Sequence, residues 1–191
     1  SQVKRAAEAP PPPEAAAAAA ATPPPPEAAP AAAAPAAPEP VAAASIDLTD
    51  AATAYPGDNA PKEALAKWMG KQAEKAGLPP ELPVMAALVE SGLKNLNYGH
   101  ADSVGFFQMR VGIWNQGKYA GYPDKPELQV KWFIDTALEV KRKAIAAGHA
   151  NFGKDPATWG EWIADVERPA EQYRGRYQLR LQEARKLLGA S

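Results

Sequence analysis

The chain has 191 residues, 21 Lys/Arg against 22 Asp/Glu, and no cysteine, which excludes a disulfide scaffold and a thiolate metal site. The near-neutral total hides a split: residues 1–60 hold 2 basic and 7 acidic side chains, net −5, and the remainder holds 19 and 15, net +4. That weak positive balance, with no Lys/Arg block interleaved with aromatics, does not describe a nucleic-acid surface, and no run of about 20 apolar residues is present to span a membrane.

Residues 1–57 read as a disordered Ala/Pro-rich linker. Thirteen of the 21 prolines lie in the first 56 residues, as PPPPE units and alanine runs, while all five Trp and all four Phe lie beyond residue 60. Such a segment has no means of building a core, and as polyproline II it reaches on the order of 150 Å. Its start, SQVKRAAEAP, lacks the apolar run of a signal peptide. One interruption, Ser45–Asp50 (SIDLTD), mixes apolar and acidic residues and is a candidate to dock on the folded part.

Residues 58–191 read as one mainly α-helical domain. Asp58 or Asn59 is expected to cap a first helix with Pro61 in its first turn, Leu65, Trp68, Met69 and Ala76 facing inward, and Gly77 ending it. A second helix starts near Pro80–Pro83 and buries Met85, Leu88 and Val89, delivering Glu90 to its end at Ser91-Gly92. The polar loop from Gly92 to Ser103 has room for a short β-hairpin. Asp124-Lys-Pro-Glu127 has the form of a capping box opening the longest helix, with Val130, Phe133, Ile134, Ala137, Leu138 and Ile145 at helical spacing. Trp159, Trp162, Ile163 and Val166 mark another helix, and Tyr173, Tyr177, Leu181, Ala184 and Leu188 mark the last.

Chemistry concentrates between Pro83 and Arg110. His100 and His149 are isolated, so no zinc-type constellation forms, and no phosphate loop or nucleophile elbow is present. Glu90 follows an apolar run, and burial raises a carboxyl's proton affinity toward that of a general acid working near neutral pH. A Glu at a helix end is also the commonplace solvated cap. Downstream, Ser103, Gly105, Phe107 and Gln108 bring together a hydroxyl, a close-approach glycine, an aromatic face and an amide, the parts from which saccharide sites are made; the same Gly-Phe-Phe-Gln-Met stretch also reads as a piece of core.

Glu90-Ser91-Gly92-Leu93, Asn95, and Asp102-Ser103-x-Gly105-x-Phe107-Gln108 together resemble the soluble lytic transglycosylases of the lysozyme-like superfamily, most closely the variants of actinobacterial and phage-associated proteins. The resemblance runs from about Pro61 to Leu188. It implies a lysozyme-like helical fold and an enzyme that cleaves the β-1,4 bond between N-acetylmuramic acid and N-acetylglucosamine in peptidoglycan, without cofactor or metal. It makes Glu90 the acid/base, with Ser103, Gln108, Phe107, Tyr98 and Tyr173 around the sugar. The family's Ala-Tyr-Asn-Ala-Gly segment is missing, and Tyr173, in Val166–Tyr173, stands in for it. Asp102 is a second carboxylate that suits a muramidase-type hydrolytic route. A non-catalytic glycan-binding or structural component of a phage tail or contractile injection particle is the third reading. The implied partner is the glycan strand, in the cell envelope or outside the cell, or within a virion-like assembly reached through the N-terminal arm.

Overall fold

The computed structural model describes residues 41–191. The described residues form six α-helices and a two-stranded antiparallel sheet: α1 (Lys62–Lys75), α2 (Glu81–Ser91), β1 (Ser103–Val104), β2 (Met109–Arg110), α3 (Val111–Trp114), α4 (Pro126–Ala146), α5 (Trp159–Glu167) and α6 (Leu181–Leu187). The fold is thus mainly helical, as the periodicity implies. The hairpin sits later than expected: β1 begins at the last residue of the polar loop, and Ser103 pairs with Arg110 around the Gly105–Gln108 turn.

Helix α2 is central. Its sequence, ELPVMAALVES, is apolar on all sides, and a helix of that kind has to be covered on all sides. It packs against α1, α4, α5 and α6. Leu82, Val84, Met85, Ala86 and Ala87 are fully enclosed. Gly92, at φ 64°, ends the helix in the left-handed conformation that costs a glycine least, and its N–H returns to the Leu88 carbonyl. The expected faces of the other helices hold in part. Val130, Phe133 and Ala137 of α4 are buried, but Leu138 and Ile145 face solvent, because α4 outruns the body that covers its first half.

Neither expected N-cap forms. Asp58 accepts hydrogen bonds from the Tyr55 hydroxyl and from Asn95 Nδ2, leaving Pro61 at the cap position of α1 with no side-chain bond. Asp124 lies in a short 3₁₀ turn, and α4 likewise starts from Lys125 without a side-chain cap. The last expected helix is broken as well. Residues Glu171–Arg176 and Gln178–Arg180 are 3₁₀ turns, and only Leu181–Leu187 is α-helical.

The linker expected over residues 1–57 falls outside the described residues as far as residue 40. From Val41 the chain lies on the body, so its boundary precedes residue 58. Ser45 and Ser191 exchange two backbone hydrogen bonds, Leu48 is buried, and Lys71 Nζ donates to the carbonyls of Thr49 and Ala51 at 3.2 and 2.8 Å. Tyr55 sets its ring edge-on against Trp68 at 4.9 Å and against Phe106 at 6.2 Å. Composition hides this strap because a few anchors suffice to seat it. Leu48→Ala is expected to cost about 2–4 kcal/mol of unfolding free energy. Urea denaturation measures it, and an unchanged midpoint would show that the strap contributes nothing.

Candidate functional site

The end of α2 is built by three contacts. The Ser91 hydroxyl lies 2.8 Å from the Phe106 carbonyl and 3.1 Å from that of Ala87, and receives the Lys94 amide at 3.2 Å. Gln129, wholly buried on α4, accepts from the Phe106 amide at 2.9 Å and donates to Asn95 Oδ1 and the Tyr122 carbonyl, each at 3.1 Å. Gly105, at φ 90°, makes room for it: a Cβ there would lie 2.4 Å from Gln129 Oε1. The hairpin turn is therefore tied to α2 through Ser91 and to α4 through Gln129.

Glu90 is 8% exposed. Its Oε1 accepts a hydrogen bond of 2.5 Å from the hydroxyl of Tyr177, 87 residues along the chain. Burial pushes its carboxyl up to about 7, against the opposing effects of that hydrogen bond and of the Arg176 charge. Burial, then the charges of Glu90 and Glu167, push the Tyr177 phenol far above its ordinary value, so it serves as a donor.

Glu167, the last residue of α5, is a second buried carboxyl, 6% exposed, with Oε1 enclosed and without a partner. Burial first, and the Glu90 charge second, push it well above the usual carboxylate range. Arg168 follows in the left-handed conformation, φ 51°, and turns the chain toward Pro169. A groove of about 680 Å³ between α4 and α5 is lined at one end by Arg168 and Pro169, next along the chain from Glu167, with Val140, His149 and Phe152 among its other walls; Glu90 does not line it.

The remaining expected site residues divide. Ser103 is 0% exposed, and its hydroxyl finds no partner. Gln108 is buried and at φ 51°, its amide donating to the carbonyls of Gly105 and Tyr98 at 3.0 and 3.3 Å; it braces the loop. Phe107 is fully enclosed and stacks on Phe133 at 4.9 Å, so its face is not free for a sugar. Tyr98 is 67% exposed on the loop. Tyr173 lies under the Arg176 guanidinium at 4.0 Å, and the tyrosine on Glu90 is Tyr177 instead. Asp102 is occupied on both oxygens, by Arg110 Nε and by the Gly112 amide at 2.6 Å. Burial works against its charge, but these bonds outweigh burial and hold it below the ordinary carboxylate value. It anchors the hairpin and is not poised to act as a base.

Chemically, the site offers one protonatable carboxyl near neutrality, a fixed phenol donor and a second enclosed carboxyl. Among the described residues no three His, Cys, Asp or Glu side chains group as metal ligands, and no helix is long and apolar enough to cross a membrane. Tyr177 and Glu167 carry no site signal in the sequence. Tyr177 was legible only as a core residue, and Glu167 only as part of the unusual Val166–Tyr173 segment.

The pH dependence of stability follows from the two raised carboxyls. Each is neutral, and costs nothing, below its unfolded value near 4.5; the penalty grows as pH rises through the folded value, which for Glu90 is about 7. Glu90→Gln should therefore raise stability by up to a few kcal/mol above about pH 8 and leave it nearly unchanged near pH 4. Thermal unfolding across pH tests this, and an equal gain at both pH values would contradict it. Tyr177→Phe removes a bond that favours the charged form, and should move the Glu90 titration upward, as read by NMR of the side-chain carboxyl.

Comparison of the chain with protein-family models, curated proteins and solved structures returned no significant match.

Proposed function

We propose that this chain is a peptidoglycan lytic transglycosylase with a lysozyme-like helical fold and Glu90 as its general acid/base. The observation that carries the reading is a single carboxyl, buried at the end of an apolar helix, with a raised proton affinity and a fixed phenol donor. A group that holds its proton to about neutrality and can still release it suits acid catalysis of glycosidic cleavage. The Glu90-Ser91-Gly92 break and the Ser103–Gln108 turn, which the resemblance marks as the site, lie against one another through the Ser91 contact to Phe106.

In this mechanism Glu90 gives its proton to the glycosidic oxygen as the bond from the muramic C1 breaks. The substrate's own N-acetyl oxygen supports C1. Carboxylate Glu90 then takes the proton of the 6-hydroxyl as that oxygen closes on C1, leaving a 1,6-anhydro end, and no water is consumed. Tyr177 holds Oε1 throughout, which leaves Oε2 to face the sugar. Tyr98, exposed on the loop, is available to stack on a ring. Its setting would be the cell envelope or the outside of the cell, or a virion or injection particle that reaches the wall.

A muramidase-type hydrolase on the same body is the second reading, favoured by a second buried carboxyl, Glu167, that feels the Glu90 charge. Purified sacculi digested with the protein separate the two by mass spectrometry: anhydromuramic ends support the transglycosylase, reducing ends the hydrolase. Glu90→Gln should lower the rate by about 10²–10⁴-fold. Equal activity in both proteins would remove Glu90 from the chemistry, and binding of glycan without cleavage by either would favour a non-catalytic module.

A further inference from the structure

The opposite end of α2 from Glu90 holds another buried charge. Arg185 of α6 is 8% exposed, and its Nε and Nη2 are enclosed and have no hydrogen-bond partner among the described residues. Ser103, Trp132 and Glu167 each leave one such atom; Arg185 leaves two, on a group that stays charged. Its one ion-pair partner among the described residues is Glu81, the first residue of α2, also buried, whose Oε1 lies 3.5 Å from Nε. A charge-assisted bond is shorter, about 2.7–2.9 Å. Burial also pushes the Glu81 carboxyl above its ordinary value, against the pull of its own backbone amide and of Arg185, so Glu81 neutralises the guanidinium incompletely.

A cavity of about 350 Å³ opens on this pair. Arg185, Glu81 and Trp159 are its buried lining, and Lys154 and Glu74 are exposed charges in its wall. Pro79 and Pro80 also line it and lead into α2, so the helix end with partial positive charge lies at the same wall. The volume falls within the range of ligand sites, about 300–1,000 Å³. Arg185 and Lys154 stand against Glu74 and a Glu81 that resists ionisation, a surplus that suits one negative charge and not two.

We propose that this cavity is a second ligand site, which takes a small monocarboxylate with an apolar body. Arg185 supplies the counter-charge, Lys154 meets the carboxylate from the rim, and Trp159 with Pro79 and Pro80 covers the apolar part. The ligand does not need to reach the sealed Nε and Nη2, since the guanidinium charge is spread over the whole planar group. A peptide C-terminus and a free organic acid share this chemistry. Residues 81 and 90 are about 14 Å apart along the helix axis, so the site is separate from Glu90 and stands whether or not the chain cleaves glycan.

Titration of the full chain with N-acetyl-alanylalanine, benzoate, phosphate and the C-terminal amide of the same dipeptide tests the site, followed by NMR of the Trp159 indole N–H and the Arg185 Nε–H. Both carboxylates should shift these signals saturably, and the tighter of the two names the source; the amide should not, and phosphate should bind more weakly. Lys154 is exposed, so Lys154→Gln keeps the fold and should weaken carboxylate binding about threefold. Arg185→Gln should weaken it about 10–100-fold. Failure of both carboxylates to bind overturns the proposal, as does equal binding of the amide, tighter binding of phosphate, or unchanged affinity in either variant. If Arg185→Gln does not fold, the amide comparison and Lys154→Gln decide.

Discussion

The site depends on one hydrogen bond, from the Tyr177 hydroxyl to Glu90. A carboxyl at the end of an apolar helix has few ways to remain inside: it holds a proton, or it receives a donor that cannot itself ionise. Here a phenol pushed far above its ordinary value supplies the donor, and burial supplies the proton. The bond also joins the earliest apolar helix of the core to the last quarter of the chain. The packing of α5 and of the 3₁₀ turns after it is what brings Tyr177 to that point, with Gln178 Oε1 accepting the Gly160 amide at 2.7 Å to fix the approach. Stability and site chemistry are consequently opposed, since the folded body carries buried carboxyls that resist charge and recovers the cost through the apolar surface around them.

What could be read from the sequence was set by periodicity and by the chemistry of single residues. Glu90 was legible because six mostly apolar residues precede it and Ser-Gly follows, a pattern that fixes both a buried helix and where it stops. The helical class was legible for the same reason, from stripes such as Trp159, Trp162, Ile163 and Val166. What escaped were features decided by tertiary contacts. Tyr173 and Tyr177 share a face if the segment is α-helical, four residues apart. In the 3₁₀ geometry that the segment adopts, the repeat is three, and Tyr173 turns to Arg176 while Tyr177 turns inward.

The misplaced caps teach the same lesson. Asp58 and Asp124 sit where sequence rules put caps, but Asp58 has better partners in Tyr55 and Asn95, a residue 37 positions away. Phe107 and Gln108 carry the functional groups of a saccharide site and are used for packing and for bracing a turn. Nothing in their residue types separates those uses; only the enclosure by Phe133 and the Gly105 carbonyl does. Glu167 carries no signal of burial in its own residue type; only the packing of α5 encloses it.

The strap from Val41 to Gly57 has a mechanical meaning. Its outer end is pinned to Ser191 by two backbone hydrogen bonds, and its inner end presses Tyr55 against Phe106, whose carbonyl receives the Ser91 hydroxyl beside Glu90. Tension applied to residues 1–40 is therefore borne in sequence: first by the Ser45–Ser191 clasp, then by Leu48, and only after those by the ring that backs the hairpin turn. The strap is a series of fuses ahead of the carboxyl, and the C-terminal end of α2 lies behind all of them.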